Sequence, residues 1–341
     1  MNYRICMIGN FISRYGHTPQ MCENLHGKFT ELGHRVYTGG KYYNHFFRIL
    51  HMVATLILKH KKYQFVIIET FSGKAFLWAY LNSRICQFLK KPYIAVLRGG
   101  NLPKFHIQHK ERMRIYLSQA SKTISPSPFL KIWSEKIIPE CTIIENPIIL
   151  KNYPYFLRKH YSYNLFWLRR FHSIYNPQLA ISIVHSLYKQ GENVKLTMAG
   201  PDSGELNSCK ELAKRLNISH LISFVGILSK DQIPKIAKKH DIFINTSNID
   251  NTPFTLIEGA ALGLPIVSTN PGGIPILFKH NHEALLSNPQ DIQEMTHNVN
   301  KLVHDNHLAN RLSKNAREKV EQYDWEIIQK KWALLFSEIN N

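Results

Sequence analysis

The stretch that decides the fold is Asp250-Asn-Thr-Pro-Phe-Thr-Leu-Ile-Glu258-Gly-Ala-Ala-Leu-Gly-Leu-Pro-Ile-Val-Ser-Thr269. An acidic residue precedes a proline-bearing turn, and seven residues separate it from a second carboxylate, Glu258. A small-residue helix follows, then a Gly263-Leu-Pro265 stop and an apolar strand. That order builds a loop and a helix N-terminus with a carboxylate on each side. The first N–H groups of a helix have no intrahelical partner, and with the helix dipole they form an anion site. Carboxylates before and inside such a helix can grip hydroxyls beside a diphosphate, which is the combination a nucleotide-sugar presents.

Working outward, short Ile/Val-rich runs alternate with longer helical patterns along the whole chain. In the first half the runs predict strands at 4–8, 65–69, 93–97, 122–125 and 142–144; in the second half at 165–168, 195–199, 222–225, 241–245 and 265–268. Apolar runs separated by helices mean parallel sheets of βαβ units. The pattern runs twice, with a polar and aromatic linker at 150–163 containing Pro154. The expected fold class is therefore α/β, with two Rossmann-like parallel-sheet domains facing a cleft. Asn176-Pro177 opens a periodic segment that closes at Gly191, with N-cap, first-turn proline and terminal glycine in order. The last helix, from Asp324 to about 339, carries Trp325, Ile328, Trp332, Leu335 and Phe336 on one face and needs a partner surface.

Composition narrows the class. A chain of 341 residues with 44% apolar and 11% aromatic residues is long enough for two cores. Its five cysteines are scattered without a C-x-x-C spacing, which points to reduced, metal-free thiols. The opening ten residues continue as a strand and do not read as a signal peptide. The longest apolar run, Phe46–Leu58, falls short of the ~20 residues that span a bilayer. Net charge is +19, and it is uneven: residues 1–150 hold 21 Lys/Arg against 7 Asp/Glu, residues 151–341 hold 22 against 17. A basic first half suggests an anionic partner, with anionic lipid headgroups favoured and nucleic acid disfavoured for want of any nucleic-acid motif. No H-E-x-x-H, close Cys/His group, D-x-D, G-x-S-x-G or P-loop occurs, so metal, acyl-hydrolase and kinase chemistries find no start.

At these residues the chain resembles the family 4 retaining glycosyltransferases, also described as glycosyl transferases group 1. Their signature is Glu, seven residues, Glu, small residues, Gly-x-Pro-Val-Val and a Gly-Gly loop. Here Asp250 stands at the first Glu, while Glu258, Gly263, Pro265, Ile266, Val267 and Gly272-Gly273 fit. Leu97-Arg98-Gly99-Gly100-Asn101, Glu145-Asn146-Pro147, Ala199-Gly200-Pro201, Phe224-Val225-Gly226 and Asp324-Trp325 fit as well, so the likeness covers nearly the whole chain.

The resemblance implies a GT-B fold: an N-terminal acceptor-side domain over 1–152, a C-terminal nucleotide-sugar-binding domain over 153–322, and a helix over 323–341 that crosses back. It also implies roles. Glu258 would accept from ribose hydroxyls, backbone N–H groups near 255–257 would meet a phosphate, and Pro253, Phe254, Thr255 and Leu256 would line the donor site. Asp250, with Asn251, would face the sugar. Arg169 or Arg170 would hold the diphosphate, while Tyr175 falls where the family places a lysine, one charge short. Gly200, Gly226 and Leu228 would border the base, and Gly16, in the glycine-bearing loop after the first strand, would let backbone approach a phosphate or the acceptor. Arg98 falls where many members carry His. It stays protonated, so it is no base, and it would act on the sugar or an anionic acceptor or simply end a strand.

The expected function is metal-independent, retaining transfer of a sugar from a nucleotide diphosphate, UDP favoured, to a glycan or lipid-linked glycan in cell-surface polysaccharide synthesis. No cofactor is implied, and the expected setting is cytoplasmic, peripheral on an anionic membrane face. A second reading, from Asp250 and the missing lysine, is a non-catalytic sugar-nucleotide-binding subunit. A nucleotide-sugar epimerase of similar architecture fits less well, because no acid/base pair can be placed.

Overall fold

The computed structural model describes residues 2–15 and 19–340. The chain forms two compact units, Met1–Asn146 with Gln329–Asn341, and Pro147–Ile328. The divisions fall at 146/147 and 328/329, against the sequence expectation of 152/153 and 322/323. Ile148 accounts for the first of these: it bridges Asp324, and its N–H donates to the Tyr323 carbonyl at 2.9 Å.

The first unit runs β1 (Arg4–Ile8), α1 (Met21–Glu31), β2 (Arg35–Gly39), α2 (His45–Leu58), β3 (Phe65–Thr70), α3 (Lys74–Phe88), β4 (Tyr93–Leu97), α4 (Leu102–Gln108), α5 (Lys110–Ser118), β5 (Lys122–Ser125), α6 (Pro128–Ser134) and β6 (Thr142–Ile143). Its strands are all parallel in the order β2-β1-β3-β4-β5-β6. Every residue of β3 and β4 is buried, as a parallel sheet covered by helices on both faces requires. Local chemistry starts the helices: Asn44 Oδ1 accepts the Phe46 N–H at 2.9 Å to begin α2, and Ser127 Oγ caps α6.

The second unit runs β7 (Asn164–Leu168), α7 (Pro177–Lys189), β8 (Lys195–Ala199), α8 (Leu206–Arg215), β9 (Ile222–Gly226), α9 (Gln232–Ala237), β10 (Ile242–Asn245), α10 (Phe254–Ala261), β11 (Ile266–Thr269), α11 (Ile274–Leu277), β12 (Leu285–Ser287), α12 (Ile292–His304) and α13 (Asn306–Glu321). Its parallel order is β12-β11-β10-β7-β8-β9. Read from β9, this is the doubly wound order 3-2-1-4-5-6, which reverses between β7 and β10. One core cluster lies around Trp167, Ile181, Val184 and Leu196, another around Phe243, Ile257, Ala260 and Phe278.

The ten strands read from sequence are all present, and two more appear: β2, an edge strand exposed at its start, and β12, only three residues long. β2 buries only its last two residues, and β12, though buried throughout, is too short to read as a run. Asn176 stands before Pro177 as expected, but in the left-handed region (φ 44°) and with no side-chain capping bond. All five cysteines are free and buried. Among the described residues, no helix is long and apolar enough to cross a membrane.

In the first unit Gly40 follows β2 with φ 111°, and a Cβ there would meet the Gly9 carbonyl oxygen, just past β1, at 1.9 Å. Only glycine fits that approach.

The final helix, α14 (Trp325–Asn340), places Phe336 fully buried in the first unit, its ring 5.2 Å from Phe29, 5.1 Å from Phe65 and 5.7 Å from Tyr3. Such aromatic clusters add to the area they bury. Phe336→Ala is therefore expected to destabilise the first unit by about 3–5 kcal/mol, measured by urea denaturation; a cost below ~1 kcal/mol would show that α14 is not part of that core.

Candidate active site

In an open α/β sheet, ligands bind outside the carboxyl ends of the strands where the order reverses. In the second unit that point lies between β7 and β10, and the two residues following on from it are Arg169 and Asp250. Arg169 comes directly after β7, with its N–H donating to the Ala199 carbonyl at 2.9 Å. Asp250 sits on the loop leading from β10 to α10. The two side chains form an ion pair, Nη2 to Oδ2, with only 14% and 11% of their side-chain surface exposed.

The pair is held on several sides. The Arg169 guanidinium lies 4.3 Å from the centre of the Tyr175 ring, a cation–π contact. Tyr175 is fixed in turn by Thr246, whose Oγ1 donates to the Tyr175 carbonyl at 2.8 Å and accepts from Trp167 Nε1 at 2.9 Å. Thus the position expected to supply a second cation supplies an aromatic face for the first. Asp250 Oδ1 accepts the Asn251 N–H at 2.9 Å, and Ser247 Oγ donates to Oδ2 at 3.4 Å. Behind them runs the Gly-Gly loop: a Cβ at Gly272 would meet the Asp250 carbonyl oxygen at 2.1 Å, and one at Gly273 the Asn251 carbonyl oxygen at 2.1 Å.

Glu258 sits one turn into α10, 5% exposed, where Oε1 accepts the Tyr153 hydroxyl at 2.6 Å. Burial pushes its carboxyl up to about 7, against the opposing pull of the Tyr153 hydrogen bond and the positive charges of Lys230 and Arg169. Burial likewise lowers the Arg169 pKa, opposed by Tyr175 and Glu258. No side chain caps α10 at Pro253. The Leu256 and Ile257 N–H groups donate to the Pro253 carbonyl at 3.1 and 3.4 Å, so the N–H groups this helix start could offer a ligand narrow to those of Phe254 and Thr255. The Leu256 side chain is core, with Phe254 and Leu228 packed against the same cluster. Among the described residues, Arg169 Nε, Thr252 Oγ1 and Thr255 Oγ1 are buried polar atoms without a hydrogen-bond partner. Orphans of this kind call for an explanation, and a polar ligand is one.

Other expected residues stand apart from this group. Arg170 turns to Ser203, Nη1 to Oγ at 3.0 Å, which separates the roles of the two adjacent arginines. Gly200 closes the ends of the three strands: its N–H donates to the Gly226 carbonyl at 2.7 Å, and a Cβ on it would meet the Arg169 carbonyl oxygen at 1.8 Å. Arg98, in the first unit, pairs with buried Glu69 at 2.8 Å and donates to Asn146 Oδ1, and its Nη2 has no partner among the described residues. Gly16 lies outside the described residues. Sequence reading missed Tyr153 and Lys230, one 105 residues before Glu258 and the other 28 before it, with no local pattern to mark either.

Residues 158–319, all within the second unit, match the family model described as Glycosyl transferases group 1. Over 105 residues the chain is 30% identical to the sulfoquinovosyl transferase of Arabidopsis thaliana, a match covering 30% of this chain and 21% of that protein. The matched part thus spans about a fifth of that relative. Sucrose-phosphate synthase from Thermosynechococcus elongatus has a TM-score of 0.81 at 15% identity, covering 99% of each chain. Anabaena HepE in complex with UDP has a TM-score of 0.77 at 16% identity, covering 98% of this chain and 100% of that one. The second unit carries a glycosyl transferases group 1 domain, and the chain as a whole has the GT-B fold.

The two strand-end glycines separate backbone strain from close approach. Gly226 has φ 73° with nothing within 4 Å of a Cβ, whereas Gly200 (φ 142°) abuts the Arg169 carbonyl. Gly226→Ala is expected to cost about 1–2 kcal/mol, the left-handed penalty. Gly200→Ala should cost clearly more and displace Arg169. Thermal melts of the two variants compare them, and equal losses would contradict the close approach.

Proposed function

We propose that the protein is a retaining, metal-independent glycosyltransferase that moves a sugar from a nucleoside diphosphate to an acceptor hydroxyl. The observation behind this reading is the buried Arg169–Asp250 pair at the reversal of strand order, beside an uncapped helix start and a buried Glu258. Each has a task that sugar transfer needs. Arg169 and the N–H groups of Phe254 and Thr255 neutralise charge that builds on the departing diphosphate. Lys230, on the loop after β9 and close enough to act on Glu258, supplies the second cation that Tyr175 does not. Asp250, with Asn251, accepts from sugar hydroxyls, and Glu258 accepts from the ribose.

In the reaction the bond between the anomeric carbon and the diphosphate oxygen breaks, and its electron pair leaves with the diphosphate. The acceptor oxygen bonds to the same face of that carbon, and its proton passes to the departing phosphate oxygen. Support for UDP as the nucleotide comes from the likeness to the Anabaena protein solved with UDP. A glycan or lipid-linked glycan is the acceptor in this reading, with the protein acting in the cytoplasm.

Thermal-shift binding to UDP, GDP, ADP and CMP tests the donor class, since a ligand of the native state raises its apparent stability. One nucleoside diphosphate should shift the melt clearly; no shift with any of them defeats the reading. Binding without turnover of the matching nucleotide-sugar would leave a non-catalytic sugar-nucleotide binder.

Two variants sharpen it. Lys230→Ala should weaken UDP about tenfold or more, as expected for a lost bond to a charged group, and leave uridine unchanged; equal effects on both would remove Lys230 from the phosphate.

Glu258 predicts a pH dependence. Its folded pKa of about 7 lies above the ordinary carboxylate value, so the proton it holds stabilises the ligand-free protein fully at low pH, and that contribution is lost as pH rises through about 7. Ribose hydroxyls donate to the ionised form, so UDP affinity should rise across the same window, with proton release on binding below it. Calorimetry in buffers of different ionisation enthalpy measures both, and Glu258→Gln should flatten the profile.

A further inference from the structure

The run Phe46–Leu58 is apolar enough to be read as a core helix, yet most of its large side chains face out. The buried side of α2 is formed by Arg48, Met52, Thr55 and Leu56. On the opposite side Phe46 is 66% exposed, Phe47 56%, Leu50 48% and Leu58 79%. The buried arginine is accounted for locally: its Nε donates to the Tyr42 carbonyl at 2.7 Å and Nη1 to Asn10 Oδ1 at 3.0 Å.

The neighbouring helix repeats the arrangement. α3 buries Trp78, Ala79, Asn82 and Cys86 and exposes Leu77, Leu81 and, at 86%, Phe88. These outward positions are spaced four and seven residues apart, one stripe on the helix. The helices are adjacent, with Asn82 Nδ2 3.8 Å from Met52 Sδ, and their inner residues join one core cluster over the same face of the sheet. Both outer stripes therefore point away from that sheet in the same direction. Single exposed leucines are ordinary; two adjoining stripes with three exposed phenylalanines are not.

The charge around them has one sign. Residues 32–110 contain 13 Lys/Arg and a single carboxylate, Glu69, which is buried and paired with Arg98 at 2.8 Å. Exposed Lys59, Lys61 and Lys62 follow directly on Leu58, exposed Lys90 follows Phe88, and exposed Arg84 stands between Leu81 and Phe88. A second copy of this chain would set like charge against like across such a face. A bilayer of anionic lipids matches it, with acyl chains for the aromatic and leucine side chains and phosphates for the cationic rim.

We propose that the outer face of α2 and α3 docks the protein on an anionic lipid bilayer. The inference goes beyond the donor-site reading and uses none of its residues.

The test is co-sedimentation of the full chain with phosphatidylcholine vesicles, with and without phosphatidylglycerol, at about 0.1 M salt, where screening reaches ~10 Å. The protein should pellet with the anionic vesicles and stay in solution with the neutral ones. The triple variants Phe46→Ser/Leu50→Ser/Leu58→Ser and Lys59→Glu/Lys61→Glu/Lys62→Glu should each lower partitioning tenfold or more. Both change only exposed side chains and should melt as the parent does, while Leu334→Ser, an exposed leucine of α14 (62%), serves as control and should bind unchanged. Failure of the parent chain to pellet, or equal pelleting of the variants, overturns the proposal. So does a dimer seen by light scattering that the serine variant dissolves, which would make a second copy the occupant. Thermal shift by UDP, run on the same samples, reads the donor site independently of either result.

Discussion

A guanidinium held at the end of a central strand, mostly shut off from water, is the constraint on which the second unit's site depends. Burying a charge is costly unless it is paired and hydrogen-bonded. Arg169 is placed by backbone, since β7 delivers it and the Ala199 carbonyl accepts its N–H. Its charge is then met by Asp250 and by the Tyr175 ring. Asp250 can reach it only because the Gly272-Gly273 loop lets two backbones come together behind it. The loop, the aromatic ring and the strand ends are parts of a single electrostatic solution, and among the described residues the Arg169 Nε is left without a hydrogen-bond partner.

The carboxylate of Glu258 shows the other side of the same balance. It is buried beside two cations, and burial outweighs them, so that its proton is held near neutral pH. A hydroxyl-rich ligand entering this space would meet an acceptor partly protonated in its absence, and the Tyr153 bond would keep that acceptor in place meanwhile. Preorganisation here comes from residues outside the signature stretch.

Much of this was legible in the sequence, for identifiable reasons. Parallel strands show as short runs rich in Ile and Val, so ten of them could be read directly, including β9, which is largely exposed after Ile222; the edge strand β2 and the three-residue β12 are too weak in that pattern to stand out. The order Asp250…Glu258…Gly263…Pro265 gave a loop, a helix start and a stop, and α10 occupies that place. What could not be read was which of two adjacent arginines turns inward, because Arg169 and Arg170 differ only in the direction their side chains take past the strand end. Tyr153 and Lys230 reach Glu258 through the fold rather than through sequence spacing. The direction of α2 was equally hidden. A helix apolar on both sides carries no period to say which side is covered, and the inner side proved to contain Arg48.

The glycine after the second strand occurs in both units. Gly40 follows β2 and abuts the carbonyl of Gly9, the residue after β1; Gly200 follows β8 and abuts the carbonyl of Arg169, the residue after β7. The surrounding sequences share nothing that would align them, and no internal repeat is visible in the chain. The two halves nonetheless meet one backbone problem, at the same step of the same βαβ unit, with the same residue. In evolutionary terms these are two positions at which drift is closed. Each half can rewrite its helices and its charges, but neither can accept any side chain at that step without moving the carbonyl on which its first loop, and with it the mouth of the sheet, is built.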